Sequence, residues 1–161
     1  MKLTLPAFIS QIFHRKKVTI LIVDDVGKPL VDVQNFFKEG HQRYDVIIAS
    51  SVEEAKQQIK EQQPDYAVID LNLDVKGYEG IEIIEFIFYQ YPNIQTIILS
   101  GFPLQGDVEK RLNKDFSGFP EELNKLKEHY VYKGTQHSGG YLVVLLETLE
   151  QLEKERKRKK Q

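Results

Sequence analysis

Asp65-Tyr66-Ala67-Val68-Ile69-Asp70-Leu71-Asn72 is the stretch whose reading decides the fold. A short apolar run ends in an aspartate, and Leu71 and Asn72 lead from it into a loop containing Gly77 and Gly80. Apolar runs of this length, bounded by turn residues, read as buried strands. Asp70 therefore stands where a strand leaves a sheet, a common place for ligand chemistry in open α/β folds.

The pattern recurs along the chain. Val18 to Val23 is a strand ending in Asp24-Asp25. Gly27 and Pro29 then open a helix with Leu30, Val33, Phe36 and Phe37 on one face, stopping near Gly40. Val46 to Ala49 is a second strand, and Ser51 with Glu54 fits a capping box for a helix through Ile59. After the Asp70 strand come a helix over Ile81 to Tyr89 and a strand Thr96 to Leu99 ending in Ser100-Gly101. Gly101 to His129 reads as irregular and charged, with a helix at Glu121 to Glu128. Tyr130-Val131-Tyr132 is a fifth strand ending in Lys133-Gly134, and a last helix runs from about Gly140 into a basic tail.

Strands alternating with helices imply a parallel sheet covered on both faces. Right-handed crossovers bring the carboxyl ends of all strands to one edge. That edge collects Asp24, Asp25, Asp70, Ser100 and Lys133. Clustered carboxylates need a cation, and an all-oxygen set suits Mg²⁺ rather than zinc. Two direct carboxylates (Asp25 and Asp70), a backbone carbonyl and an outer-sphere Asp24 suffice for an ion that keeps several waters. A lysine amine supplies a compact charge for a phosphoryl oxygen, and a serine hydroxyl a hydrogen bond to another. A carboxylate can itself be the nucleophile of phosphoryl transfer.

With these residues in register, the chain from Val18 to Leu149 resembles the receiver domain of bacterial two-component response regulators. The resemblance rests on Asp24-Asp25 after Ile-Leu-Ile-Val, "PDYAVID" ending in Asp70, Ser100 after "TIIL", Lys133, and Tyr130 three residues before it. It implies a flavodoxin-like doubly wound α/β sheet of five strands, order 2-1-3-4-5, an arrangement of which receivers are a known example. It implies that Asp70 takes a phosphoryl group from a histidine kinase or phosphotransfer protein. Asp24, Asp25, Asp70 and Asn72 then hold Mg²⁺, Ser100 and Lys133 bind phosphoryl oxygens, and Tyr130 is a rotameric switch governing contact with a downstream effector or a second copy. Such a protein is a phosphoacceptor, with no chemistry beyond its own phosphorylation. The chain departs from the family pattern in three places. The loop after Asp70 lacks the usual proline, Gly134 follows Lys133 where proline is usual, and Gly101 to His129 is long. Phe102 adds a bulky apolar group where attacking water would approach Asp70.

Composition narrows the alternatives. The 161 residues, 41% hydrophobic and 29% charged, suit one globular domain. No cysteine is present, which excludes disulfides, thiolate metal sites and cysteine nucleophiles. No run is long and apolar enough for a membrane span, and the N-terminus lacks a signal-peptide pattern, so a cytoplasmic protein is expected. Residues 1–17 carry four basic groups and residues 154–160 six against one acid, leaving a net −11 for residues 18–153. An acidic body argues against nucleic-acid binding. The expected division is an extension over 1–17, a receiver over 18–150 and a basic helical tail over 151–161. Phe8, Ile9, Ile12 and Phe13 sit at helical spacing within residues 7–14.

Blander readings compete. Asp70 to Asp74 mimics half of an EF-hand loop, but Val75 and Ile81 occupy the positions of its glycine and closing acid. His14, His41, His129 and His137 show no ligand spacing and read as solvated. A receiver-like interaction module that works without phosphate is the main alternative, and a phosphohydrolase lacks the second acid, because Asn72 stands two residues past Asp70.

Overall fold

Val18 to Val23 offers no polar face, so the strand that it forms has to be covered on both sides. The computed structural model describes residues 17–73 and 77–159 and shows how. Strands β1 (Val18–Val23), β2 (Tyr44–Ala49), β3 (Tyr66–Ile69), β4 (Gln95–Ser100) and β5 (Tyr130–Tyr132) form one sheet. Their order is β2-β1-β3-β4-β5, and every pairing is parallel. The helices are α1 (Gly27–Gly40), α2 (Val52–Gln62), α3 (Gly80–Gln90), α4 (Asp107–Asp115), α5 (Pro120–Glu128) and α6 (Gly140–Arg158). This is the parallel sheet covered on both faces that the strand pattern predicts, in the doubly wound order that the resemblance implies.

The pleat sorts each strand into two cores, because successive side chains point to opposite faces. Ile20, Ile22, Val68 and Leu99 meet Leu30, Val33 and Phe37 of α1, together with Leu145, Leu149 and Leu152 of α6. Leu21, Val23, Ala67, Ile69 and Ile98 meet Ile59 of α2, Ile84 and Ile87 of α3, Leu112 of α4 and Leu126 of α5. Local signals set the helix ends. Ser51 Oγ accepts the Glu54 N–H at 3.2 Å, while Glu54 Oε2 reaches back to Ser50, one residue before the usual capping-box partner.

Two expectations are corrected. The segment after Gly101 contains the helix α4, whose Val108 and Leu112 are buried one turn apart with Phe116 just beyond. Its remaining residues are charged or polar, so only tertiary packing reveals its inner face. His129 is buried rather than solvated, because it follows α5 directly into β5; burial lowers its imidazole below the ordinary value. The segment 7–14, together with His14, lies outside the described residues, as do Asp74 and Val75 of the loop after Asp70. Among the described residues no helix is long and apolar enough to cross a membrane.

Charge pins the amino-terminal edge of the sheet. Glu153 of α6 is buried, accepts the Tyr44 hydroxyl at 2.7 Å and pairs with Arg43. Arg156, one turn on, donates to Asp65 at 2.6 Å, and the other oxygen of Asp65 accepts the Thr19 N–H at 3.0 Å. Leu152 is buried in the same turn, so the leucine stripe of α6 still serves this sheet beyond Leu149. Burial alone would raise the Glu153 carboxyl, yet hydrogen bonds from Arg43 and Tyr44 outweigh it and hold the group below its usual value. A depressed carboxylate stabilises the fold above its unfolded value of 4.5 and loses that contribution as pH falls through the native value. Glu153→Gln is therefore expected to cost about 1–2 kcal/mol at pH 7 by urea denaturation. The gap from the wild type should narrow below pH 4.5.

Candidate functional site

The register of the sheet decides what meets at its carboxyl edge. Val23 pairs level with Ile69, so Asp24 and Asp70 are the next residues of adjacent strands. The Asp70 N–H bonds to the Val23 carbonyl at 2.9 Å, and the Lys133 N–H extends the β5 ladder to the Ser100 carbonyl at 2.8 Å. From that anchor the long Lys133 side chain crosses to the two acids. Its Nζ lies 2.5 Å from Asp24 Oδ2 and 2.6 Å from Asp70 Oδ2. Both carboxylates are buried, at 2% and 6% exposure, so their charge has little water to answer it.

The other carboxylate oxygens are held by the backbone. Asp24 Oδ1 accepts the Val26 N–H and Asp70 Oδ1 the Asn72 N–H, each at 3.0 Å. Burial pushes the Asp70 carboxyl up from its ordinary range, against the pull of Lys133 and the Asn72 N–H. Burial would likewise pull Lys133 down, but its two carboxylate partners outweigh this and hold the amine above its ordinary value. The lysine is thus a fixed cation, and one ammonium against two carboxylates leaves a net negative charge at the sheet edge.

The structure brings Asp24, Asp70 and Lys133 into direct contact. Ser100 ends β4, between β3 and β5, and is fully buried; its Oγ accepts the Phe102 N–H at 3.2 Å. Tyr130, at the start of β5, is half-buried and donates its hydroxyl to the Phe102 carbonyl at 2.6 Å. Phe102 itself is 55% exposed. Asp25 is exposed, and the Asn72 side-chain oxygen accepts the Tyr78 N–H at 3.1 Å. Among the described residues no three acidic, histidine or cysteine side chains form a ready metal cluster. The donor chemistry nonetheless fits a hard divalent cation: two carboxylates share one point in space, all donors are oxygen, and negative charge is in excess.

Two features carry no clear mark in the sequence. A Cβ on Gly80 would lie 2.0 Å from the Asp70 carbonyl oxygen, so glycine there is required by the close approach of α3 to the end of β3. The glycine is legible as a turn residue, but its contact with Asp70 depends on tertiary structure. The Phe102 backbone, which joins Ser100 to Tyr130, leaves no sequence signal.

Replacing Lys133 tests the electrostatics. Lys133→Ala leaves two buried acids facing each other and is expected to cost about 3 kcal/mol at pH 7. Without the amine, Asp70 rises further above its unfolded value of 3.8. A raised acid destabilises the native state as pH increases through it, so the deficit should be larger at pH 7 than at pH 4 in denaturation curves.

Comparison with known proteins agrees with this fold. The family model of the response regulator receiver domain matches residues 20–128. The transcriptional activator protein ExaE of Pseudomonas putida is 30% identical over 100 residues. That match takes in 62% of this chain, which spans only 46% of that relative's length. A CheY-like response regulator receiver domain protein from Methanospirillum hungatei superimposes with a TM-score of 0.66 at 26% identity, over 89% of this chain and 98% of that one. A response regulator from Thermotoga maritima gives 0.60 at 20% identity, over 84% and 96%. The family match stops short of Lys133, yet the structure carries the same sheet through β5 to that lysine. With its five-stranded parallel sheet and the acids gathered at one edge, the chain belongs to the response regulator receiver domain family.

Proposed function

We propose that the chain is a phosphorylatable receiver in two-component signalling, with Asp70 as the phosphoacceptor. The observation that carries this reading is the convergence of Asp24, Asp70 and Lys133 from three strands at one edge. An Asp70 oxygen attacks phosphorus in a phosphohistidine of a kinase or phosphotransfer protein. The O–P bond forms as the N–P bond breaks, and the imidazole nitrogen leaves with the electron pair. The barrier to such transfer is met mainly by positioning and charge neutralisation. Lys133 already aims its ammonium at the Asp70 oxygen, so a new phosphoryl oxygen meets it by displacing one of its carboxylate partners. Asp24, Asp70, the exposed Asp25 and the Asn72 carbonyl are the groups that would hold Mg²⁺. When bound, the ion neutralises phosphoryl charge beside the acids.

The readout passes through Ser100. Swinging the Ser100 side chain about its Cα–Cβ bond, so that Oγ moves to a phosphoryl oxygen, gives up the Phe102 N–H, and the Phe102 carbonyl is the acceptor of Tyr130. A two-state movement of Phe102 and Tyr130 then changes the surface offered to a protein effector, which suits an acidic body better than nucleic acid does.

Incubation with a small phosphodonor and Mg²⁺, read by intact mass, is expected to add one phosphoryl group to the wild type and none to Asp70→Asn. No addition to the folded wild type would overturn the reading in favour of a constitutive interaction module. Phe102 stands beside the site, so Phe102→Ala should shorten the phosphorylated lifetime several-fold in a time course by the same method. An unchanged lifetime would remove its shielding role.

A further inference from the structure

The opposite, amino-terminal edge of the sheet carries a groove of about 660 Å³ between the end of α3, the start of β4, α5 and the last turns of α6. Phe88, Pro92 and Phe119 supply its apolar lining, and buried Thr96 and His129 its polar part. Among the described residues, Thr96 Oγ1 and Gln95 Oε1 are buried there with no hydrogen-bond partner. A native interior rarely leaves such groups unanswered. The groove thus presents an apolar wall of Phe88, Pro92 and Phe119 to apolar side chains.

A second, smaller groove is lined by Lys17, Asp65, Tyr66 and Glu153, and Arg156 belongs to the walls of both. Lys17 is the first described residue, so the 16 residues before it start at the rim of this smaller groove, which Arg156 separates from the larger one. Those residues hold Phe8, Ile9, Ile12 and Phe13 at helical spacing, a feature that the phosphoryl site does not use.

We propose that residues 7–14 of the same chain dock in this groove, with Phe8, Ile9, Ile12 and Phe13 against its apolar wall. The tether is long enough. Strands β1 and β4 are separated by β3, so their starts lie about 10 Å apart across the sheet. The four residues from Phe13 to Lys17 span up to about 13 Å. An intramolecular occupant also meets little entropic cost, because a short tether keeps it at high effective concentration.

The absence of native cysteine makes the test direct. In the full chain, Gln11→Cys is combined with Lys125→Cys at the groove or with Gln136→Cys beyond β5, at the opposite edge of the sheet. Mild oxidation with diamide, read by non-reducing intact mass, should give an intramolecular disulfide several-fold more in the first pair than in the second. Adding Ile12→Asp should reduce the first pair to the level of the second. Equal yields in the two pairs, no bond in either, or a bond indifferent to Ile12→Asp would overturn the proposal. A bond found only between chains would assign the groove to a second copy. A segment left unbonded that instead sediments with anionic phospholipid vesicles would assign it to a membrane surface. Either result overturns the intramolecular reading.

Discussion

A single ammonium group between two buried carboxylates governs the carboxyl edge of this sheet. Lys133 joins Asp24 on β1 and Asp70 on β3 while its own backbone is locked to Ser100 on β4. Three strands are thereby tied at one point by charge, and a fourth by a backbone hydrogen bond. The tie is incomplete in charge, since two acids face one base, and that imbalance is what makes the edge receptive to further cations. Any further anion placed at Asp70 would compete with both carboxylates for the same ammonium.

The other edge of the sheet is secured by a separate set of charges. Asp65, the first residue before β3, holds the Thr19 N–H and Arg156, while Glu153 holds Tyr44 and Arg43. Asp65 and Asp70 thus bracket one four-residue strand that is buried throughout. Between the two charged edges the two cores supply most of the favourable burial, and the charged edges set register and keep α6 in place. The long final helix belongs to this second set: its leucines face the sheet and its Glu153 and Arg156 reach the strand starts.

Much of this was legible in the sequence because parallel strands announce themselves twice, by an apolar run and by the polar residue that ends it. Asp24, Asp70, Ser100 and Lys133 each close such a run, so their convergence follows from topology alone. What was not legible depends on neighbours distant in sequence. The inner face of α4 consists of Val108 and Leu112, too few to stand out from charged surroundings, and Phe116 completes it only once the helix has packed. His129 looks like any polar residue between a helix and a strand, and its burial comes from what covers it. Gly80 carries a turn signal, whereas its abutment against the Asp70 carbonyl belongs to the packing of α3. The links through Phe102 use backbone atoms, which every residue possesses.

The span of chain between the partners at the site has a kinetic consequence. Asp24 and Lys133 are 109 residues apart, so the two acids enter a growing or collapsing chain well before their counter-charge. Until β5 adds to β4, the ends of β1 and β3 bring like charges together without relief. Pairing at such separation is slow because loop closure precedes any return in contact energy. The sheet's last strand is thus the step that turns a repulsive edge into a cohesive one, and native protection of Asp70 should be acquired late in folding.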